Sequence, residues 1–312
     1  MIHAQSISDA AQKIAPYIHR TPIISSSQIN EIAAADLYFK CENFQKAGAF
    51  KARGAHNAIF SLSDAEAKKG VITHSSGNHA GALSLAAKNR EIPAFVVMPS
   101  TAPKVKVAAV KAYGGIVTFC EPTLEAREQM LEKIQAQNQA IEVHPYNNEN
   151  IIAGQATAAL EIAKDMQPDL IIAPVGGGGL LAGTALSTHY FLPGTKVIAA
   201  EPKGADDAWQ SFHAGKIIPS VKPKTIADGL LTSLGGLTYP IIRDYVDDII
   251  TVEEASIIKA MRLVWERMKI IIEPSSAVPL AAVLENKNRF RGMKIAIIVS
   301  GGNIDLNKLP WQ

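Results

Sequence analysis

A run of four consecutive glycines is the feature of this sequence that first suggests chemistry: Gly176, Gly177, Gly178 and Gly179. The run follows DLIIAPV (169–175), which is typical of a buried strand, and precedes a helical pattern that begins at Leu180. Backbone N–H groups at the start of a helix bind anions, because the helix dipole and the unpaired donors both favour negative charge. Glycine lets the backbone come close to such a ligand. The run therefore predicts a phosphate-binding loop.

The same loop is compatible with two other interpretations. Gly177, Gly179 and Ala182 have the G-x-G-x-x-A spacing of a dinucleotide-binding loop. Glu201 ends the next predicted strand about twenty residues later, where a ribose ligand would lie. A nicotinamide-dependent dehydrogenase is therefore an alternative. A flexible surface turn is the other, although four glycines between a buried strand and a helix are unusual for a turn.

Three further short segments carry reactive or polar side chains. Lys51 lies in AFKARG (49–54), and a lone lysine of this kind is usually a solvated surface charge. Hydroxyls, an amide and backbone N–H groups cluster in HSSGNH (74–79), as a carboxylate-binding turn or an ordinary helix N-cap would require. SGGN (300–303) follows the last apolar run, where parallel sheets present ligand contacts. Each segment alone is compatible with a structural role, so only their combination indicates a site.

Short apolar runs alternate with longer amphipathic segments along almost the whole chain, which predicts an α/β fold with mostly parallel sheets. The predicted strands are LYFKC (37–41), GVITHS (70–75), AFVVM (94–98), GIVTFC (115–120), DLIIAPV (169–175), KVIAAEP (196–202), DDIITV (247–252) and KIAIIVSGG (294–302). The clearest helical patterns cover 124–139, 151–166 and 253–268. Residues 70–146 form a compact unit, which predicts a small domain inserted into a large one made of 1–69 and 147–312. We expect the ligand cleft between them.

Composition restricts the class of protein. The 312 residues are 47% hydrophobic and 19% charged, which supports a large core and excludes a disordered or coiled-coil chain. The formal net charge is +2 without a long basic run, so we expect no nucleic-acid partner and no membrane binding. The two cysteines, Cys41 and Cys120, have no metal-ligand spacing. The sequence has neither a long apolar span nor a signal-peptide pattern, so we expect a cytoplasmic protein.

Together the four segments resemble the fold type II pyridoxal-phosphate enzymes, whose fold is like that of the tryptophan synthase β subunit, and within them the serine racemase and serine/threonine dehydratase family. The matching stretches run in order along essentially the whole chain: HRTPI (19–23), FKCENFQKAGAFKARGA (39–55), SSGNHAGAL (75–83), TAPKVKVAA (101–109), PVGGGGLLAG (174–183), AAEPKGADDAWQS (199–211), IADGL (226–230), ERMKIIIEPSSA (266–277) and IIVSGGNIDL (297–306). The resemblance outweighs the dehydrogenase interpretation, because only a pyridoxal enzyme needs the lysine, the asparagine and the final serine beside the glycine loop. It implies two open, twisted, mostly parallel sheets flanked by helices.

For the cofactor, the resemblance implies covalent attachment of pyridoxal 5'-phosphate to Lys51, whose amine must be partly neutral to attack a carbonyl. It implies that Phe50 supports the pyridine ring, that the glycine run binds the phosphate, and that Asn78 bonds the ring hydroxyl. Ser300 is expected to face the pyridine nitrogen. A serine there can hydrogen-bond an unprotonated nitrogen, which suits brief carbanion chemistry at Cα, such as racemisation or β-elimination.

For the substrate, the resemblance implies α-carboxylate binding by Ser75, Asn78 and His79. Ser76 is expected on the face of the cofactor opposite Lys51, and acid/base groups on both faces of one Cα are what a racemase needs. Arg127 matches an arginine of the racemases, and its planar fork suits a carboxylate, including the side-chain carboxylate of 3-hydroxyaspartate. The structural alternatives are a helix N-cap for Ser76 and a surface charge cluster for Arg127.

The resemblance also implies a divalent cation site at Glu201, Ala205 and Asp207, where two carboxylates and a backbone carbonyl suit Mg²⁺ or Ca²⁺. This role competes with the ribose contact considered above for Glu201. A homodimer is expected. Eukaryotic racemases carry Lys-Thr before the small-residue–Phe–Lys motif, whereas this chain has Lys46-Ala47, which argues against activation by ATP.

The activity that the resemblance implies is racemisation of serine together with its dehydration to pyruvate and ammonia. A threo-3-hydroxyaspartate dehydratase or racemase is the first alternative, and a threonine dehydratase is the second. The remote alternatives from other classes are the nicotinamide-dependent dehydrogenase and a non-catalytic protein that binds the cofactor.

Overall fold

The computed structural model describes residues 2–311, except for the side chain of Leu124. The strands in chain order are β1 (Ile23–Ile24), β2 (Asp36–Cys41), β3 (Val71–His74), β4 (Ala94–Pro99), β5 (Ile116–Cys120), β6 (Ile141–Glu142), β7 (Leu170–Pro174), β8 (Lys196–Pro202), β9 (Asp248–Val252) and β10 (Lys294–Val299). All the predicted strands are present. The two-residue strands β1 and β6 were missing from the prediction, because two residues are too short to show a period.

Apart from α1, which precedes β1, the helices lie between these strands, and they vary from one to more than four turns. They are α1 (Ala4–Ile14), α2 (Ser27–Ala33), α3 (Lys51–Phe60), α4 (Asp64–Ala67), α5 (Asn78–Asn89), α6 (Lys104–Ala112), α7 (Leu124–Asn138), α8 (Glu149–Asp165), α9 (Gly179–Phe191), α10 (Asp207–Ala214), α11 (Thr238–Tyr245), α12 (Glu254–Met268), α13 (Pro274–Glu285) and α14 (Lys287–Phe290). Local capping fixes the start of several helices. The side chain of Asn148 accepts the N–H of Ile151 at 3.1 Å where α8 begins. None of the helices within residues 2–311 is long and apolar enough to cross a membrane.

The strands form two sheets, which confirms the predicted α/β fold. One has the order β1-β2-β10-β7-β8-β9 and is parallel except for the β1–β2 pair. The other has the order β5-β4-β3-β6 and is parallel throughout. Parallel sheets of this kind carry helices on both faces. The four-stranded sheet lies within the predicted small unit 70–146, whose limits as a domain stay a prediction.

The central strand β10 shows why the apolar runs are continuous. Ile295, Ile297 and Val299 enter one hydrophobic core of the large sheet, whereas Ala296 and Ile298 enter the core on its other face. Side chains alternate along a strand, so a strand covered on both faces needs an apolar residue at every position.

The carboxyl ends of the two sheets meet at one cleft. Asn78 follows β3 of the small sheet, and its side chain is hydrogen-bonded to Asn303, which follows β10 of the large sheet. An ion pair between Lys106 and Asp228 also joins the two parts. The loops predicted to carry chemistry therefore face one another.

Candidate active site

Lys51 is placed by backbone hydrogen bonds to the end of β10. The N–H of Phe50 donates to the carbonyl of Ser300 at 3.0 Å, and Ala49 forms an antiparallel bridge with Gly301. Helix α3 begins at Lys51, with Phe50 as its N-cap residue. Two segments far apart in sequence, the lysine motif and the final serine–glycine turn, are therefore held side by side.

The amine of Lys51 has a neutral hydrogen-bond partner and an aromatic neighbour. Its Nζ donates to the carbonyl oxygen of Pro145 at 2.8 Å and lies 5.2 Å from the centre of the Phe50 ring. Burial lowers the pKa of Lys51 from its usual value to about 8, and the nearby carboxylate of Glu273 opposes this shift. Roughly a tenth of such amines are neutral at pH 7, compared with well under a thousandth for an exposed lysine. This amine can act as a nucleophile or as a base.

The glycine run lies where the sequence predicts it, between β7 and α9. Gly178 has a φ of 87°, a left-handed conformation that favours glycine. A Cβ added to Gly177 would lie 2.3 Å from the ring of Tyr146, so a side chain is excluded there by close packing. Helix α9 begins at Gly179, and its first N–H groups have no acceptor within the helix. The loop is therefore suited to a phosphate group.

Asn78 is held by two side chains, one directly before α13 and the other after β10. Its Nδ2 donates to both carboxylate oxygens of Glu273 at 3.0 Å, and its Oδ1 accepts the Nδ2 of Asn303 at 2.9 Å. Glu273 is 3% exposed. Burial raises its pKa to about 7, and the hydrogen bond from Asn78 opposes the rise. The predicted contact of Asn78 with a ring hydroxyl stays a prediction, but its amide is fixed in orientation.

The turn from Ser75 to His79 joins β3 to α5. Gly77 is the N-cap residue of α5, so the interpretation of Ser76 as an ordinary helix cap is wrong. The Oγ of Ser75 accepts the N–H of Gly77 at 3.3 Å. The side chain of His79 points away from solvent, and its Nε2 donates to the carbonyl of Val143 at 3.0 Å. The predicted α-carboxylate contact of Ser75, Asn78 and His79 stays a prediction.

The electrostatics of His79 link this turn to Lys51. Burial lowers the pKa of His79 to about 3, and the charge of Lys51 contributes to the shift. The imidazole is therefore neutral at physiological pH, and it is a structural hydrogen-bond donor. His79 and Lys51 donate to carbonyls only two residues apart, those of Val143 and Pro145, so the lysine and the turn meet at one segment.

Arg127 lies on the first turn of α7, near the end of β3. Its Nε donates to the carbonyl of Thr123 at 3.2 Å. Burial lowers the pKa of His74, and the nearby charge of Arg127 lowers it further. Glu125 is hydrogen-bonded to Gln129 at 3.2 Å, and Glu128 lies near the same His74 as Arg127, so the alternative of a surface cluster of Glu125, Arg127 and Glu128 stays a prediction. The guanidinium of Arg127 lies near His74, which directly precedes the turn.

Glu201, in β8, and Asp207, the first residue of α10, form a buried acidic pair. The Glu201 oxygens accept the N–H groups of Ala208 and Trp209 at 3.0 and 2.9 Å. Asp207 is 3% exposed; it lies near Ser220, but neither of its carboxylate oxygens accepts a well-aligned hydrogen bond. Burial raises the pKa of Glu201 to about 9 and that of Asp207 to about 6. No group of three or more His, Cys, Asp or Glu side chains among the described residues could hold a metal ion, so the cation site predicted at Glu201, Ala205 and Asp207 depends on these two carboxylates.

Sequence reasoning missed three residues of the site. Pro145 accepts from Lys51, Tyr146 covers the glycine loop, and Glu273 holds Asn78. Pro145 and Tyr146 lie in a segment that has the composition of a linker. The only available signal for Glu273 was its place in the matching stretch ERMKIIIEPSSA, directly before a proline that starts a helix.

Comparison with known proteins agrees with this geometry. A family model described as pyridoxal-phosphate dependent enzyme matches residues 14–301. The chain is 52% identical over 304 residues to a β-hydroxyaspartate dehydratase of Paracoccus denitrificans, which covers 97% of this chain and 96% of that protein. It is also 52% identical over 313 aligned positions to serine racemase of Arabidopsis thaliana, covering 98% and 94% of the two chains. The structure of maize serine racemase is similar with a TM-score of 0.96 and 48% identity, covering 98% of this chain and 94% of that one.

Proposed function

We propose, from the premise that this chain belongs to the family of pyridoxal-phosphate dependent enzymes, that it racemises serine and dehydrates it to pyruvate and ammonia. The observation that carries the proposal is that one short segment accepts from both Lys51 and the turn: Lys51 donates to the carbonyl of Pro145 and His79 to that of Val143. In the proposed mechanism, the amine of Lys51 and the hydroxyl of Ser76 serve the two faces of one substrate carbon.

The residues of the cleft fit pyridoxal phosphate. The glycine run is suited to the phosphate, Phe50 and Asn78 to the ring, and the buried hydroxyl of Ser300 to the ring nitrogen. Lys51 supplies a buried amine that is partly neutral. When bound, the cofactor supplies an electron sink that makes the Cα proton of an attached amino acid acidic.

The protein side chains then perform the proton transfers. For an L-substrate, the neutral amine of Lys51 takes the Cα proton, and the hydroxyl of Ser76 delivers a proton to the opposite face. For a D-substrate the two roles reverse. An ordinary serine hydroxyl is a poor base, so its proton is exchanged through ordered water. Dehydration of L-serine needs only Lys51 and an acid for the departing hydroxyl group.

Substitution of Ser76 tests the proposal. Ser76→Ala should lose racemisation by about 100-fold or more and lose dehydration of D-serine, whereas dehydration of L-serine largely survives. Chiral chromatography and pyruvate release measure the two reactions. Ser75→Ala is the control: it removes a neighbouring hydroxyl from the same turn and should reduce both reactions alike. Racemisation by Ser76→Ala at a rate near that of the wild type would contradict the proposal.

Arg127 favours a second candidate, dehydration or racemisation of 3-hydroxyaspartate. The guanidinium lies near the substrate turn, and one relative at 52% identity is a β-hydroxyaspartate dehydratase. A charge-assisted contact contributes about 1.5–3 kcal/mol, or roughly tenfold to a hundredfold in specificity. Arg127→Ala should therefore reduce kcat/KM for 3-hydroxyaspartate more than for serine, and Arg127→Lys should do so less. Equal losses for both substrates would exclude this candidate.

We also propose that Glu201, Asp207 and the Ala205 carbonyl bind Mg²⁺ or Ca²⁺. The support is the buried pair of carboxylates, since neither buried oxygen of Asp207 accepts a well-aligned hydrogen bond. A cation would offset the burial of both charges. A chelator should lower the melting temperature, Mg²⁺ or Ca²⁺ should restore it, and Asp207→Asn should abolish this response. The absence of bound metal in elemental analysis would overturn the proposal.

The remaining expectations concern assembly and location. We propose a homodimer, which the family resemblance supports, and sedimentation velocity would measure it directly. The absence of a nucleic-acid partner and the cytoplasmic location stay predictions from the sequence.

A further inference from the structure

We infer that Ser276 is a positioning residue that orients the hydroxyl of Ser300 towards the ring nitrogen of the cofactor. The inference rests on the proposed function, because it takes Ser300 as the partner of that nitrogen. Ser276 lies in the first turn of α13, a segment to which the sequence interpretation assigned no role.

Three contacts surround the hydroxyl of Ser276. Its Oγ lies 2.9 Å from the Oγ of Ser300, and it accepts the N–H of Gly301 at 2.7 Å. The carbonyl oxygen of Gly301 lies within hydrogen-bonding distance as well, also at 2.7 Å. Ser276 is 1% exposed and Ser300 is 2% exposed, so water cannot replace these contacts. Buried polar groups of this kind need protein partners.

The inventory of donors and acceptors gives the chain of hydrogen bonds a direction. A hydroxyl has one hydrogen and two lone pairs. Gly301 N–H uses one lone pair of Ser276, and the hydrogen of Ser276 has two acceptors within reach, Gly301 O at 2.7 Å and Ser300 Oγ at 2.9 Å. When Ser300 donates its own hydrogen to a pyridine nitrogen, only Ser276 can donate across the 2.9 Å contact, so the hydrogen of Ser276 then turns to Ser300. Ser300 then keeps its own hydrogen for an acceptor in the cleft.

A bound pyridine nitrogen completes this arrangement. The chain then runs from the N–H of Gly301 through the hydroxyls of Ser276 and Ser300 to the nitrogen. Each hydrogen bond polarises the next one, so the last donor becomes stronger than an isolated serine hydroxyl. The same order of donors keeps the nitrogen unprotonated, because Ser300 donates and does not accept.

The neighbouring Ser275 provides a matched control. It is also buried, at 2% exposure, and it lies in the same turn of α13. Its Oγ accepts the N–H of Gly229 at 3.1 Å and takes no part in the contacts of Ser300. Replacing either serine by alanine removes one buried hydroxyl from this turn, but only one of the two changes alters the contacts of Ser300.

The test uses the holoenzyme loaded with pyridoxal phosphate that carries ¹⁵N in the ring. In the wild type, the ¹⁵N resonance should be that of an unprotonated, hydrogen-bonded nitrogen. In Ser276→Ala it should move towards the value of a pyridine without a hydrogen bond, and the Kd for the cofactor should rise roughly 2- to 10-fold. Ser275→Ala should leave both quantities as in the wild type. If Ser276→Ala does not fold, Ser276→Cys should shift the resonance in the same direction by a smaller amount.

Two results would overturn the inference. One is an unchanged ¹⁵N resonance in the cofactor-loaded Ser276 variants. The other is a pyridinium resonance in the wild type, because Ser300 would then accept a hydrogen bond. Failure of the proposed function would give a different result from failure of this inference. The wild type would then not bind the cofactor, or would bind it without attachment to Lys51.

Discussion

Two lysines, the fully buried Lys40 and the half-buried Lys51, lie eleven positions apart and have different environments. Lys40 is 0% exposed, and its Nζ donates to the carbonyl of Thr21 at 2.6 Å and to the carboxylate of Glu161 at 2.5 Å. Lys51 donates to the carbonyl of Pro145. Burial lowers the pKa of both amines, but two carboxylates, Glu42 and Glu161, oppose the shift at Lys40. Burial alone therefore does not make a lysine reactive.

Lys40 belongs to a buried cluster of ion pairs, in which each charged group lies beside a group of opposite charge. The members are Lys40, Glu42, Arg53 and Glu161. Arg53 bonds Glu42 through Nε at 2.7 Å and Glu161 through Nη1 at 2.8 Å. Two cations thus face two carboxylates in the interior. Residues two apart on a helix point in different directions, so Arg53 enters this cluster while Lys51, on the same helix, faces the cleft. The cluster stabilises α3, and α3 presents Lys51.

Removal of the Lys51 amine should have the largest effect on activity. We expect Lys51→Ala to reduce turnover by about 10,000-fold or more and to abolish covalent attachment of the cofactor, because the nucleophile and the base are the same group. Its cofactor-free melting temperature should stay close to that of the wild type. Kinetics, borohydride trapping and calorimetry measure these quantities. A large loss of stability would show that Lys51 also stabilises the fold, and would contradict the contrast drawn here between Lys40 and Lys51.

Removal of the Lys40 amine should lower the stability of the fold and leave attachment of the cofactor intact, which is the opposite of the result expected for Lys51→Ala. Lys40→Met leaves the Glu161 carboxylate with one cation fewer, and breaking a buried ion pair costs about 3 kcal/mol of unfolding free energy. Denaturant unfolding measures the loss. The folded fraction should still attach the cofactor at Lys51. If Lys40→Met kept full stability but lost the cofactor, the assignment of a structural role would be wrong.

Amine labelling over a range of pH sharpens the comparison. In the cofactor-free protein, Lys51 should react with an acylating reagent with a midpoint near its pKa of about 8, because only the neutral amine attacks. Lys40 should remain unlabelled, since it has no exposed surface. Peptide mass spectrometry distinguishes the two sites, and bound pyridoxal phosphate should protect Lys51. A Lys51 midpoint near that of exposed lysines would refute the proposed effect of burial.

The smallest of these effects is expected from substitution of Glu273, and it is a shift in the pH midpoint of Lys51 labelling. Its carboxylate raises the pKa of Lys51, against the larger lowering by burial. Glu273→Gln removes this charge and keeps an acceptor for Asn78, so the labelling midpoint of Lys51 should move to lower pH. Glu253→Gln, at an exposed carboxylate, is the control and should leave the midpoint unchanged. A shift of the Lys51 midpoint to higher pH would mean that Glu273 affects the pKa of Lys51 through the geometry of the cleft and not through its charge.

The sequence by itself determined the elements and the loops that lie at their ends. Strand β8 has the predicted limits, and β7 and α9 enclose the glycine run as predicted. The physical reason is local: a strand buried on both faces needs an uninterrupted apolar run, and a loop that approaches a ligand closely needs glycine. The resemblance to a family then supplied the residues of the candidate site, because its motifs extend over nearly the whole chain.

Only the tertiary structure decided which side chains act together. Asn78 and Glu273 are 195 positions apart in sequence, and Ser276 and Ser300 are 24 apart on different elements. Neither pair has a period or a spacing that a sequence can show. The neutral state of His79 and the different roles of Lys40 and Lys51 likewise follow from burial and from partners in three dimensions. A pKa or a hydroxyl orientation depends on the surrounding charges and donors, and the fold alone brings those together.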